Sequence, residues 1–219
     1  MITLHHVPFS RSFRVLWLLT EMGQDCEIRS YDIADGSLRD PAFLAKSPAG
    51  RVPALEVDGK VLFESGAIVE YLCETRPEHG FGRAPGEAER AEYLMWVHFA
   101  ETMAHVIANL NLQHIFLRDP AMRSPTVLKI EARRLAGTMQ VMEQALADRD
   151  WLLPGGFSAA DMMMGFNLFS APYYVKMEPF PALRAYMARV EAREGYQAAR
   201  ALDGEQRFYA KPFYPFDAT

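Results

Sequence analysis

The sequence predicts an α/β domain followed by an all-α domain. Three observations support this. Strand and helix patterns alternate over about the first 80 residues, a stretch rich in proline and glycine follows, and the rest shows only helical periodicity. The chain has 219 residues, half of them apolar, which is enough for two small domains that each bury a core. We place the first domain at 1–78, a linker at 79–86 and the helical domain at 87–219.

The first domain opens with a short strand, MITLHH, in which the two histidines point to opposite faces. A helix that ends at Gly23 follows, and its apolar residues recur at helical spacing: Val15, Leu16, Leu18, Leu19 and Met22. The alternating stretch EIRSYDI predicts a second strand. A short helix is expected in PAFLAK, because Pro41 suits the first turn of a helix.

A hairpin is predicted in VPALEVDGKVLF, because Asp58-Gly59 is typical of a two-residue turn between strands. The helix SGAIVEYLCETR then completes the order β-α-β-α-β-β-α. Pro53 lies at the start of the third strand, where it has no N–H to donate. The residues alone leave two readings open. The proline is trans at an ordinary strand start, or it is cis and turns the Val52 backbone outward to pair with an extended peptide.

Beyond the linker, only helices are expected. EAERAEYLMWVHFAETMAHVIANLNLQHIFL is long enough for one extended helix, and FSAADMMMGFNL and PALRAYMARVEA begin two others. A further helix is expected between the long helix and FSAADMMMGFNL, marked by Leu128, Leu135, Met139, Met142 and Leu146. Ser158 and Asp161 have the spacing of a capping box, in which each side chain bonds the backbone N–H of the other residue.

Composition argues against several classes of function. The net charge is -5 and no Lys/Arg cluster stands out, so a nucleic-acid partner is not expected. No apolar run approaches the roughly 18–20 residues of a membrane span, and the N-terminus lacks a signal peptide, so we expect a cytoplasmic protein without a membrane partner. Cys26 and Cys73 are far apart and read as partly buried thiols. No residues have zinc-like spacing, so no metal is expected.

These motifs together resemble the glutathione S-transferase superfamily. Val52-Pro53 at the third strand and Glu64-Ser65 before the last helix resemble its thioredoxin-like βαβαββα domain, and the helical remainder with FSAAD resembles its C-terminal domain. The stretches HHVPFSRSFRVLWLLTEMG and WVHFAE resemble a cytosolic, bacterial and fungal branch. The resemblance covers nearly the whole chain. It implies a detoxifying homodimeric transferase that takes glutathione as co-substrate and adds its thiolate to a small electrophile bound between the two domains.

The resemblance also implies which residues hold glutathione. Val52, presented by a cis Pro53, pairs through its backbone with the cysteinyl part, while Glu64 and Ser65 hold the γ-glutamyl end. The chemistry agrees, because amide N–H groups and the dipole at a helix N-terminus favour a carboxylate, and Glu64 can pair with the ammonium group. Ser65 can also be a plain N-cap, and the two roles are compatible. Arg51 is a candidate for the glycine carboxylate, with a solvated surface arginine as the alternative.

The reaction needs a group that stabilises a thiolate, since a thiol with a pKa near about 8.5 is mostly protonated at neutral pH. The loop Val7-Pro8-Phe9-Ser10-Arg11-Ser12 holds neither tyrosine nor cysteine, which disfavours tyrosine-type and cysteine-type transferases and thiol–disulfide exchange. Ser10, four residues before Arg14, resembles the donor of serine-type transferases. Ser12 is the alternative, since either serine can instead cap the first helix, and a site without a side-chain donor stays open.

The electrophile is the least defined part of the prediction. The residues expected to line its pocket are Phe9, Met103, His105, Phe116 and Phe213, although methionine and aromatic stripes more often belong to a core. Two other functions stay open: a glutathione-dependent peroxidase, reductase or isomerase that uses the same site, and a non-catalytic glutathione-binding or scaffolding protein of the same fold. The intact glutathione-holding motifs argue against the second.

Overall fold

The computed structural model describes residues 1–216, which divide into two compact units. The first comprises Met1–Pro85 together with Glu191–Gln206, and the second comprises Gly86–Val190 together with the described residues from Arg207 onward. This differs from the expected division, because the segment 87–219 contributes to both units rather than forming one domain. The end of that expected range, residues 217–219, lies outside the described part.

The first unit is built on a four-stranded mixed sheet of strand order β2-β1-β3-β4. Its strands are β1 (Thr3–His6), β2 (Glu27–Ser30), β3 (Ala54–Val57) and β4 (Lys60–Phe63). β1 pairs in parallel with β2 and antiparallel with β3, and β3 pairs antiparallel with β4. Asp58 and Gly59 both have positive φ, 51° and 72°, which confirms the two-residue hairpin turn.

Three helices alternate with these strands, and the predicted βαβαββα order is therefore confirmed. They are α1 (Phe13–Glu21), α2 (Pro41–Leu44) and α3 (Ser65–Thr75). α1 is buried from Phe13 to Leu19, and each large apolar side chain fully buried there contributes roughly 1.5–3 kcal/mol. β2 is shorter than the predicted EIRSYDI. It ends at Ser30, and beyond it the Asp32 carboxylate accepts from the Ala34 N–H at 2.7 Å, a local turn that competes with an extended strand.

A helix that the sequence analysis did not assign, which we call α8 (Glu194–Asp203), packs on α1 and belongs to the first unit. Glu21 at the end of α1 anchors it. Arg193 donates to both carboxylate oxygens of Glu21, at 2.8 and 2.7 Å, and Trp17 Nε1 donates to the same carboxylate at 2.9 Å. Gly195 lies directly against Glu21, where an added Cβ would overlap with the side chain. This close packing explains why the chain returns to the first unit.

The second unit is helical, with α4 (Arg90–Asn111), α5 (Pro125–Ala145), α6 (Ala159–Ser170) and α7 (Pro181–Glu191). α4 packs on both α5 and α6. The predicted long helix ends as an α-helix at Asn111 and continues as a π-helical turn, Leu112–Phe116. No helix among residues 1–216 is long and apolar enough to cross a membrane.

The capping box of α6 is confirmed. The Asp161 carboxylate accepts from the backbone N–H of Ser158 at 2.9 Å and from its hydroxyl at 3.2 Å. The same carboxylate also accepts from the Leu152 N–H at 3.0 Å and from the Tyr186 hydroxyl at 3.1 Å. The motif that begins α6 therefore also fixes the preceding loop and α7.

Candidate functional site

Three short segments of the first unit hold the residues expected to bind the tripeptide. The first precedes β3. The peptide bond between Val52 and Pro53 is cis, and the paired residues of the sheet begin at Ala54, so Val52 lies just beyond the ladder. Ser47 holds the backbone of Arg51, donating to its carbonyl at 2.6 Å and accepting its N–H at 3.3 Å. The Arg51 side chain is exposed.

The second segment is the start of α3. Glu64, not Ser65, is the N-cap residue, and Ser65 is the first residue of the helix. The plain N-cap role for Ser65 is therefore wrong. Glu64 is exposed and has φ 73°, a conformation that costs a residue with a Cβ about 1–3 kcal/mol. The surrounding structure holds Glu64 in this conformation between the end of β4 and the buried Ser65.

A buried arginine lies beside Ser65. Arg14 Nη1 donates to Ser65 Oγ at 3.0 Å, and the Arg14 side chain has no exposed surface. Because a guanidinium only donates, Ser65 Oγ is the acceptor and its own hydrogen is available for another acceptor. A positive charge and a hydroxyl donor thus meet at the N-terminus of α3, an arrangement that suits an anionic group.

In the sequence, Arg14 was noted only for its position four residues after Ser10. The signal that would have identified it is a charged residue inside the apolar stretch FRVLWLL, because a charged side chain that is fully buried is normally paired.

The third segment is the β1–α1 loop, which holds both candidate thiolate donors. The hydroxyl oxygens of Ser10 and Ser12 are 2.8 Å apart, and Ser10 Oγ accepts the Ser12 N–H at 3.3 Å. Ser12 is the N-cap residue of α1, but its side chain makes no capping hydrogen bond. Its oxygen instead lies 2.8 Å from His6 Nδ1 and within hydrogen-bond reach of both backbone groups of Val7. Ser12 is fully buried and Ser10 is half-buried.

The end of α8 closes this network. His6 Nε2 lies 3.1 Å from the backbone oxygen of Asp203 and 3.2 Å from its Oδ1. Asp203 Oδ1 also accepts the Phe9 N–H at 3.1 Å, and Oδ2 accepts from Arg200 Nη1 at 2.6 Å. His6 and Asp203 are at most 1% exposed. Sequence reasoning assigned neither residue a role, and because they are 197 positions apart no local pattern connects them.

One of the expected pocket residues lies in the same loop. Phe9 is half-buried and has φ 58°. The Arg200 guanidinium lies over its ring, 4.1 Å from the centroid, which is a cation–π distance. The contact ties the loop to α8.

The other four expected pocket residues belong to the second unit. Met103 has no exposed surface and is part of the core, so its expected place in a pocket wall is corrected. His105 is exposed and lies 3.3 Å from Asn109 Nδ2, Phe116 is 48% exposed, and Phe213 is half-buried. The sequence pattern did not distinguish the buried methionine from its exposed neighbours, because α4 has apolar residues on several sides.

Comparison with known proteins gives the family. Residues 1–74 match the family model described as glutathione S-transferase, N-terminal domain. Glutathione S-transferase 3 of Schizosaccharomyces pombe is 30% identical over 213 residues, which cover 91% of this chain and 86% of that protein. Glutathione S-transferase F10 of Arabidopsis thaliana is 31% identical over 170 residues, covering 74% of this chain and 77% of that protein.

Solved structures agree. The glutathione S-transferase from Xylella fastidiosa has a TM-score of 0.82 and 28% identity, over 93% of this chain and 98% of that chain. A sphingomonad glutathione S-transferase complexed with glutathione has a TM-score of 0.79 and 27% identity, over 92% of this chain and 98% of that chain. With the mixed four-stranded sheet and the helical second unit, these matches show that the chain belongs to the glutathione S-transferase family and is an enzyme of that family.

Proposed function

We propose that the enzyme binds glutathione on the first unit, ionises its thiol and adds the resulting thiolate to a small electrophile. The observation that carries the proposal is the contact between Arg14 and Ser65 at the start of α3. A γ-glutamyl group ends in a carboxylate, and here it would meet amide N–H groups, a hydroxyl donor and a buried positive charge together. The sphingomonad relative, which is complexed with glutathione, supports the same ligand.

The remaining contacts follow the shape of the tripeptide. The backbone of Val52, beyond the ladder and before the cis Pro53, would pair with the cysteinyl part as an added strand. The exposed Glu64 would pair with the γ-glutamyl ammonium group, and the exposed Arg51 would meet the glycine carboxylate.

The chemistry requires a thiolate at the end of the bound cysteinyl part. We place it at Ser10, the half-buried hydroxyl of the β1–α1 loop, because Ser12 is fully buried and is engaged with His6 and Val7. The thiolate attacks an electron-poor carbon of the second substrate, a sulfur–carbon bond forms, and a leaving group departs with its electron pair or an activated double bond takes up a proton.

Ser65→Ala tests the anion site. Removing a hydrogen bond to a charged group weakens binding by about 1.5–3 kcal/mol, or roughly tenfold to a hundredfold. Ser65 is not the N-cap residue, but Arg14 Nη1 loses this acceptor, so the variant should fold with a stability lower by about 1–3 kcal/mol. Calorimetric titration with glutathione measures the change, and Ser30→Ala, an exposed serine on β2, is the matched control. Unchanged affinity in the Ser65 variant would place the γ-glutamyl group elsewhere.

We also propose that the enzyme is a homodimer. β4 is an edge strand of the sheet, and on it Val61 and Phe63 are 45% and 49% exposed, while Met95 on α4 is 53% exposed. Large apolar side chains on an open edge strand are typical of a surface that a partner covers. Light scattering at micromolar concentration should give the mass of two chains, and the mass of one chain would contradict the proposal.

A further inference from the structure

We propose that His6, held by Asp203, is the positioning residue that receives the glutathione thiol proton, and that the proton reaches it through the hydroxyls of Ser10 and Ser12. The inference rests on the proposed function, since it requires the thiol to lie at Ser10. It adds two residues to the reaction, and neither of them touches the substrate.

The geometry is an unbroken chain of hydrogen-bond distances. Ser10 Oγ lies 2.8 Å from Ser12 Oγ, which lies 2.8 Å from His6 Nδ1. On the far side of the imidazole, Nε2 meets the backbone oxygen of Asp203 at 3.1 Å and its carboxylate at 3.2 Å. The chain starts at a half-buried hydroxyl and ends in the interior, because Ser12, His6 and Asp203 are at most 1% exposed.

The hydrogens in this chain can be assigned. Asp203 presents only acceptors to Nε2, and its carboxylate otherwise receives the Phe9 N–H and the Arg200 guanidinium, so Nε2 carries the hydrogen. In the neutral imidazole Nδ1 then accepts. The Ser12 hydroxyl has two acceptors in reach, Nδ1 at 2.8 Å and the Val7 carbonyl at 3.2 Å, and we assign its single hydrogen to the shorter contact. The 2.8 Å contact between the two serines therefore uses the hydrogen of Ser10.

This assignment has a consequence for the thiol. With neutral His6, the Ser10 hydrogen points towards Ser12, and the Ser10 oxygen presents a lone pair to the site. In this state Ser10 accepts from a thiol and does not donate to a thiolate. A chain that only held Ser10 in place would therefore oppose ionisation.

Proton transfer along the chain resolves the conflict. The S–H bond breaks and its proton goes to Ser10 Oγ, the Ser10 hydrogen passes to Ser12, and the Ser12 hydrogen passes to His6 Nδ1. Each serine gains one hydrogen and loses one, so the products are a thiolate and an imidazolium. The hydrogen bonds between Ser10 and Ser12 and between Ser12 and His6 Nδ1 now run the other way, and Ser10 donates to the thiolate. After the sulfur–carbon bond forms, His6 returns the proton along the same path to the product or to water.

The charges around His6 favour this step. The Asp203 carboxylate stabilises an imidazolium, and Arg200, on the other oxygen of that carboxylate, offsets part of its charge. From the start of α1 the imidazole faces the uncharged hydroxyl of Ser12, and in the sheet the neighbouring strand β2 places the uncharged Ser30 opposite it. Asp203 is therefore the charged group in direct contact with the imidazole.

The test is the pH titration of the bound thiol, followed by the ultraviolet absorbance of the thiolate with saturating glutathione and no electrophile. Asp203→Asn removes the charge and keeps the size, His6→Gln retains a donor towards Asp203 and removes the proton acceptor, and Ser12→Ala interrupts the path with both partners in place. Each should raise the midpoint of the thiol titration by about one pH unit or more, and should shift the alkaline-rising limb of kcat/KM by the same amount. Glutathione affinity at high pH should stay within about threefold.

The matched control is His5→Gln. His5 is also buried on β1, but its imidazole bonds Tyr31 and Glu56 and faces away from the hydrogen-bond chain behind Ser10. The glutathione thiol bound to this variant should therefore titrate as it does in the wild type. Ser10→Ala should bring the midpoint of the bound-thiol titration back to that of a free thiol and reduce turnover by a factor of about 10²–10³ at most.

If Ser10→Ala raises the midpoint while the Ser12, His6 and Asp203 variants titrate like the wild type, the relay is wrong and the proposed function stands. If the wild-type protein binds no glutathione, or shows no lowered titration, the proposed function itself fails. If His6→Gln does not fold, Ser12→Ala and Asp203→Asn decide the matter.

Discussion

Asp161 is a position where one substitution should strongly destabilise the second unit. Its carboxylate is fully buried and accepts from the N–H groups of Leu152 and Ser158 at 3.0 and 2.9 Å, and from the hydroxyls of Ser158 and Tyr186 at 3.2 and 3.1 Å. Asp161→Ala removes the common acceptor of all four donors. The amides of Leu152 and Ser158 would then lie in the interior without it, whereas the Tyr186 hydroxyl keeps the backbone carbonyl of residue 161 as an acceptor at 3.2 Å.

The cost follows from the number of donors that lose their acceptor. Each buried donor left unpaired costs about 1–3 kcal/mol, so the two amides give at least about 2 kcal/mol. Asp161→Asn should cost less, about 1–3 kcal/mol. Its carbonyl oxygen can still serve Leu152 and Tyr186, and its NH₂ group faces the Ser158 N–H, so one donor loses its partner.

Urea unfolding at pH 8, followed by circular dichroism, measures these costs as the change in the free energy of unfolding. The pH is chosen because burial raises the pKa of Asp161 to about 6, so the carboxyl is ionised there. Asp148→Ala, an exposed aspartate in the same unit, is the control and should stay within about 0.5 kcal/mol of the wild type. A cost below about 1 kcal/mol for Asp161→Ala, or a larger cost for Asn than for Ala, would refute the reasoning.

Two further predictions concern acid stability and the docking of α8. Burial, with the charges of Arg123 and Lys211, lowers the pKa of His114 to about 4. Below about pH 6.5, His114 binds a proton in the unfolded chain but not in the folded one. The free energy of unfolding therefore falls as the pH is lowered from about 6.5 to about 4. His114→Phe keeps a ring in that position and should flatten this part of the urea-unfolding profile by about 2–3 kcal/mol, and equal slopes in both proteins would contradict it. Gly195→Ala places a methyl group against Glu21 and should speed hydrogen exchange in α8, with Gly137→Ala, where an added Cβ meets no atom, as control; unchanged exchange would mean that Glu21 moves aside at little cost.

The sequence alone determined the local features of this protein. Asp58-Gly59 predicted a hairpin turn and both residues have positive φ, and Ser158 with Asp161 predicted a capping box that is present. Such features depend on residues within a few positions of one another, and short-range backbone geometry is enough to specify them. The order of strands and helices from β1 to α3, and hence the family resemblance, follows from the same kind of local signal.

Only the tertiary structure decided which distant side chains meet. Arg14 and Ser65 are 51 positions apart, and His6 and Asp203 are 197 apart, yet each pair is in hydrogen-bond contact. Met103 was expected on a candidate pocket wall as one of a set of methionine and aromatic residues, whereas the packing around α4 buries it completely. The periodicity of one helix shows that a face is apolar but not what covers it. The partners of a buried charge are likewise set by how separate elements pack, so the network behind Ser10 became visible only once α8 was placed against α1.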